Sequence, residues 1–130
     1  MKINILRRKI IQIFEKHKLS KKHSKVCADY LIKAELVEAK SHGLTRLKMY
    51  CKRIQKKLIN PKPKIKVKRI NSSISYVDAD NSIGFVSADI GVAQAIKNAK
   101  KTGVGLVAIK NSGHFGLSSF YAEQAVKKNL

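Results

Sequence analysis

The chain has no tryptophan, two cysteines, two prolines and only eight acidic residues against 28 lysines and arginines in 130 positions. Each scarcity excludes something. Cys27 and Cys51 lack the CxxC spacing of thiolate metal sites and dithiol redox centres, and both fall on the apolar phase of a predicted helix, where a thiol packs as a small hydrophobe. No apolar run approaches the ~20 residues of a membrane-spanning helix, so no membrane partner is expected. The opening stretch "MKINILRRKIIQIFEK" carries charge through its apolar stripe and has no small-residue cleavage site. It is therefore not a secretory signal, and the expected location is cytoplasmic. No internal repeat or low-complexity segment occurs. The length suits one ordinary domain, enough for a core but short for a two-substrate enzyme.

Positive charge is what the chain has in excess, a formal +20. A basic nucleic-acid-binding domain is accordingly the alternative reading. Residues 1–70 hold 22 basic against four acidic side chains, and residues 71–130 hold six against four. However, 23 of the basic residues are lysine and five are arginine, dispersed and without interleaved aromatics. Base readout leans on arginine, so the pattern points away from nucleic acid and towards lysines on solvated faces.

Helical spacing dominates the first sixty residues. Ile3, Leu6, Ile10, Ile13 and Phe14 predict a helix over 3–17; Ser20 is placed to cap a second, with a stripe of Cys27, Tyr30, Leu31, Ala34 and Val37. Leu44, Leu47, Cys51, Ile54 and Leu58 predict a third that stops at "NPKP". After Pro63 the period becomes two. "KIKVKRI" predicts a half-buried edge strand, "NSS" a turn and "ISYVDAD" the return of a hairpin. Residues 85–102 resume helical spacing through Val86, Ile90, Ala93 and Ile96, with Gly103 at the stop. "VGLVAI" reads as a strand buried on both faces, and a last helix starts near Leu117. The expected class is α/β: a helical layer over 1–60, then over 61–130 the start of a domain with a mixed sheet flanked by helices.

Two apparent motifs fail on context. Gly103, Gly105 and Ala108 fit G-x-G-x-x-[GA], but a dinucleotide fingerprint follows a strand and opens a helix, whereas this one opens a strand. Asp78, Asp80, Ser82 and Asp89 imitate a calcium loop, yet Ile83 stands where its turn glycine belongs. A solvated turn capping the next helix is expected there, and no metal site.

Two constellations carry chemistry. In "SHGLTRLKMY", helical geometry would put His42, Arg46 and Tyr50 along one edge. An imidazole suits proton transfer near neutral pH, and a guanidinium grips a carboxylate bidentately. Ser41 either orients His42 or caps the helix, and a capped helix start with a surface arginine fits the same residues. In "NSGHFG", His114 stands between Gly113 and Gly116 on a loop leaving a strand for a helix, the usual ligand side of an α/β sheet. A structural histidine bonded to a nearby carbonyl fits as well.

The two histidine motifs, Arg46, Leu47 and Tyr50, the "NP" at 60–61 and the stretch from "IGFVSADIGVAQAIKNAKK" through "TGVGLVAIKNSGHFGLSSFYAEQA" together resemble the type-2 malate/L-lactate dehydrogenase family over nearly the whole chain. That family includes sulfolactate, ureidoglycolate and diketogulonate enzymes with a non-Rossmann cofactor fold. The resemblance implies an oxidoreductase that interconverts a small 2-hydroxy acid and a 2-oxo acid with NAD or NADP and works as a homodimer at full length. It implies that His42 transfers the proton, that Ser41 supports it, and that Arg46, with Tyr50 beside it, anchors the carboxylate. It places His114, Phe115 and Gly116 where nicotinamide and substrate meet, and either histidine as the principal acid or base. Family members are far longer, which implies an N-terminal portion, truncated or split. Where the pattern has glycine, this chain has Glu38 before "SHG" and Lys57 before "INP"; glycine there is expected to serve close packing.

Overall fold

A computed structural model describes residues 2–130, which fall into two units, 2–62 and 63–130. The first is helical: α1 (Ile3–Lys16), α2 (Lys21–Leu36), two single 3-10 turns (Lys40–His42 and Leu44–Arg46) and α3 (Leu47–Gln55). Most of the apolar stripes of the sequence become its core, while Ile3 and Val37 at their outer ends are exposed. Ile10 and Phe14 of α1, Cys27, Ala28, Leu31 and Ala34 of α2, and Tyr50 and Ile54 of α3 are all buried. Ser20 caps α2, its Oγ accepting the His23 N–H at 3.2 Å.

The third helix departs from expectation. It starts at Leu47 rather than Leu44, and Ile59 is buried while Leu58 is exposed. The cause at its end is a reversal of the backbone. Lys57 N–H bonds the Ile54 carbonyl, Leu58 N–H bonds the Arg53 carbonyl, and Lys57 has φ +59°. This is the turn in which a helix closes on one left-handed residue, a position that glycine fills without a Cβ penalty. Helix α2 ends in the same way, with Glu38 at φ +58° and the Ala39 N–H on the Ala34 carbonyl. Glu38 and Lys57 are the two places where the resemblance leads to an expectation of glycine. Glycine is wanted there for its left-handed backbone, not for close packing. Glu38→Gly and Lys57→Gly are each expected to raise unfolding stability by about 1 kcal/mol, the order of the left-handed penalty for a residue with a Cβ. A urea midpoint that stays put or falls in both variants would contradict this.

The second unit holds β1 (Lys66–Arg69), β2 (Ile74–Ser82), α4 (Gly84–Thr102), β3 (Leu106–Ser112) and α5 (Ser119–Val126). The sheet has the order β1-β2-β3, with β1 antiparallel and β3 parallel to β2. A parallel pair needs a crossover, and α4 supplies it. Asn71 makes the hairpin turn by accepting the Ser73 and Ile74 N–H groups on its Oδ1. Along β2, Ser75, Val77 and Ala79 alternate into the core.

Four expectations need correction here. Strand β1 is an edge strand, but all four of its residues are exposed rather than half-buried, since no layer covers the Val67 face. The stretch "DADNS" is not a turn that caps a helix. It is the end of β2, and the cap residue of α4 is Ile83, with no side-chain bond.

Helix α4 buries Phe85 and the expected Val86 in its first turn together with Gly84, Ser87, Gly91 and Asn98, while Ile90 and Ile96 of the expected stripe are only half-buried and Ala93 is exposed. Small residues decide this, because they let the helix backbone come close to the sheet. A Cβ at Gly91 would run into Ile109 Cδ1, and one at Gly105 into the Ala95 carbonyl. The buried Asn98 side chain is satisfied by donating to the Ser73 carbonyl and Ser75 Oγ at 3.1 and 3.0 Å.

Strand β3, read as buried on both faces, lies at the sheet's edge with Leu106 56% and Ile109 37% exposed. Its apolar run records what the strand can bury. Burial on both faces also needs neighbours, and among the described residues it has β2 on one side alone.

Candidate active site

In the first unit the SHG motif lies not on a helix but across the two 3-10 turns, which meet at Gly43. Several links hold this segment. Glu35 of α2 accepts the Leu44 N–H on Oε1 at 2.6 Å, and that carboxylate lies where a Cβ of residue 43 would stand. A side chain at position 43 would push the Glu35 carboxylate off its donor, so glycine keeps that hydrogen bond. Thr45 Oγ1 donates to the Lys40 carbonyl at 2.5 Å, and Arg46 Nε donates to the Ser41 carbonyl at 2.6 Å.

Ser41 Oγ lies 2.9 Å from His42 Nδ1. A hydroxyl both donates and accepts, so it donates to neutral Nδ1 or accepts from a protonated one by rotating its O–H. The ring can gain and lose a proton without losing this partner. His42 and Arg46 are half-buried and Ser41 is exposed.

The structure thus brings Ser41, His42 and Arg46 together, by a turn rather than by the helical periodicity that the sequence suggested. Tyr50 is set apart from them by its burial. Tyr50 is 1% exposed in the core of the first unit, and burial pushes its phenol well above the usual range, with Cys27 adding to this and Arg46 and Arg53 opposing it. The angular reasoning failed because α3 begins only at Leu47, so positions 42 and 46 do not share its 100° step with position 50. Glu35 and Thr45 are the functional supports that sequence reasoning missed. A carboxylate ahead of an N–H-rich turn is the signal that points to Glu35.

In the second unit His114 and Phe115 are exposed on the loop that leaves the carboxyl end of β3, with Phe115 44% exposed. At Gly113 there is open space where a side chain would stand. The loop is held from below. Ser87 Oγ donates to the Gly84 carbonyl at 3.1 Å, so its other contact, at 2.7 Å, must be accepted from the Ser112 hydroxyl. A Cβ at Gly84, the first residue of α4, would collide with the Gly113 and His114 carbonyls. Gly116 has φ +81° and rests against the Phe85 ring. Tyr121 OH donates to the Phe115 carbonyl at 2.6 Å, and the two rings stand 5.7 Å apart at 57°.

Asp78, Asn111 and Lys110 lie at the base of the loop, with Asn111 Nδ2 donating to Asp78 Oδ1 at 3.0 Å. That bond, the Asp80 N–H and Lys110 hold the Asp78 carboxyl below its usual range. Nothing in the local sequence signals this cluster, because Asp78 is 33 residues from Asn111.

An exposed imidazole, an exposed flat ring and bare glycine backbone fit the flat ring and carboxamide of a nicotinamide, which needs stacking surface, polar partners and close approach. Among the described residues no group of three or more His, Cys, Asp or Glu is placed to hold a metal ion, and no helix is long and apolar enough to cross a membrane.

Comparison with known proteins gives a consistent picture. The model of the malate/L-lactate dehydrogenase family matches residues 1–130. The L-sulfolactate dehydrogenase of Methanocaldococcus jannaschii is 34% identical over 121 residues, which is 93% of this chain and 35% of that protein. A malate dehydrogenase of Pyrococcus abyssi is 36% identical over 93% of this chain and 33% of its own length. The solved sulfolactate dehydrogenase structure from M. jannaschii superposes with a TM-score of 0.95 at 32% identity, over 99% of this chain and 38% of that one. The chain therefore spans about a third of the length of the curated relatives it matches.

Proposed function

Because the chain belongs to the malate/L-lactate dehydrogenase family, we propose that it carries the proton-transfer and carboxylate-binding part of an NAD(P)-dependent oxidoreductase acting on small 2-hydroxy and 2-oxo acids. The observation that carries this is the Ser41–His42 pair, with the Arg46 guanidinium tied to the same turn. When bound, NAD(P)H supplies the hydride. In the reducing direction His42 donates a proton to the substrate oxygen as it becomes a hydroxyl; in the oxidising direction it takes that proton back. Ser41 keeps Nδ1 partnered in both states. Arg46 Nε is already given to the Ser41 carbonyl, so the grip on the substrate carboxylate falls to its terminal nitrogens.

His114, Phe115 and Gly116 are assigned to the nicotinamide and substrate by their exposure and by the open backbone beside them. Tyr50 contributes packing beneath the motif. The relatives are named for malate and sulfolactate, both 2-hydroxy acids with a second anionic group on the neighbouring carbon, and we take that class as the substrate. A homodimer, a cytoplasmic location and the use of NAD or NADP go with this reading.

The test is a chimaera in which these 130 residues replace the matching segment of the M. jannaschii sulfolactate dehydrogenase, assayed for NADH oxidation with oxaloacetate and with sulfopyruvate. Turnover is expected. A soluble, cooperatively folded chimaera without turnover would reject the reading. In the same assay Arg46→Lys should raise KM for the oxo acid about tenfold at nearly constant kcat, since losing one charge-assisted hydrogen bond costs about 1.5 kcal/mol. An unchanged KM would remove Arg46 from the carboxylate site.

A further inference from the structure

Resting on the enzymatic reading for its purpose but not for its geometry, we propose that Asp78 and Asn111 form a latch that fixes the direction in which the His114 loop leaves the sheet. Both are then positioning residues for that loop. Between the paired residues Asp78↔Lys110 and Ser82↔Ser112 the register of β2 and β3 shifts, so that residues 79–81 stand opposite Asn111 alone. Three residues absorb the mismatch in the left-handed region: Asp80 at φ +48°, Asn81 at +55° and Asn111 at +51°. Asparagine and aspartate tolerate this region better than other residues with a Cβ, but tolerance does not select it over extended backbone.

The selection comes from one carboxylate oxygen. Asp78 Oδ1 accepts the Asn111 side-chain amide at 3.0 Å and the Asp80 backbone N–H at 3.2 Å, so it ties both sides of the irregular stretch. The next residue, Ser112, is tied to α4 through Ser87. The chain is thereby pinned twice just before Gly113 and His114. The other Asp78 oxygen meets Lys110 Nζ at 3.3 Å, in a pair whose side chains are 52% and 33% exposed. Exposed ion pairs add little order, because water screens them and two long side chains must be held still. The amide bond to Asn111 acts on the backbone itself.

The experiment uses the full 130-residue chain, 15N-labelled, as wild type and as Asp78→Ala, Asp78→Asn and Lys110→Met. Asparagine at 78 still offers an Oδ1 to both donors but ends the ion pair. Backbone order parameters at Gly113, His114 and Phe115 should be near the rigid value of ~0.85 in wild type, Asp78→Asn and Lys110→Met, and fall below ~0.6 in Asp78→Ala. Val77 and Ala108 in the strands should stay rigid throughout, which separates a released loop from an unfolded unit. If Asp78→Ala does not fold, Asn111→Gly reads the same bond, because glycine accepts the left-handed angle and has no amide to donate. Equal order in all variants would overturn the latch, as would loosening in Asp78→Asn and Lys110→Met alongside Asp78→Ala. An NADH titration of the same samples addresses the enzymatic reading separately. Weakening of about three- to tenfold in Asp78→Ala, but not in Asp78→Asn, is the expected cost of one hydrogen bond lost behind the loop. A released loop in Asp78→Ala with NADH affinity unchanged when the same substitution is made in the active chimaera would keep the latch and reject the cofactor role.

Discussion

Replacing His42 with alanine in the active chimaera is expected to lower kcat by roughly 10²- to 10⁴-fold, the usual scale for loss of a general acid or base. Cofactor affinity should barely move. The split matters because the proposal gives His42, bound to Ser41 within its own turn, the proton, and gives the cofactor contact to the His114 loop. His114→Ala should instead weaken NAD(P)H or substrate binding together with turnover, since its loop is the exposed one. Measuring kcat, KM and NAD(P)H dissociation for both variants decides between them. Near-wild-type turnover in His42→Ala would remove that residue from the mechanism and move proton transfer to His114.

Gly84→Ala is expected to destabilise the second unit at the point where α4 meets the His114 loop. The added Cβ meets two main-chain carbonyls, of Gly113 and His114, and neither can rotate away without moving the loop. Overpacking of this kind costs typically about 1–3 kcal/mol. Gly91→Ala is the control. Its Cβ meets Ile109 Cδ1, the end of a flexible side chain that can turn aside, so it should cost less. Urea unfolding of the two variants gives the order, and the His114 ring resonances should shift in Gly84→Ala but not in Gly91→Ala. If Gly91→Ala is the more damaging of the two, the close approach at Gly84 does not support the loop.

Much of the architecture is legible in single elements of the chain. The stripes through Ile10, Phe14, Cys27 and Leu31 become the core of the first unit, Ser20 caps the helix it was expected to cap, and the hairpin turns at "NSS". Each of these depends on neighbours within a few residues, where periodicity and capping act. The SHG and NSGHFG motifs were visible for a related reason, since histidine beside glycine departs from what a buried strand or helix needs.

What failed depended on contacts between distant residues. Tyr50 was read onto the edge of His42 because the helix was extended back through Gly43; only Glu35, eight positions earlier and on another helix, explains why the chain turns there. On α4 the expected Val86 is buried, but beyond the first turn the small Gly91 takes the sheet-facing place in preference to Ile90 and Ile96, because the helix comes close to the sheet there. Strand β3 shows the limit from the other side: its apolar run was read correctly as a preference, yet burial needs neighbours that no local pattern can supply.

By itself, then, the sequence determined the element types, the two histidine motifs and the family, because these follow from local spacing and residue chemistry. Only the tertiary structure decided that Ser41, His42 and Arg46 are joined by a turn, that Glu38 and Lys57 sit in left-handed helix ends, and that Asp78 reaches Asn111 across the sheet. The first two are closed by short-range bonds whose turn geometry residue spacing does not specify, and the third joins positions 33 residues apart. Which backbone group lies beside which side chain is set by how helices and strands pack, and one-dimensional order does not contain that distance.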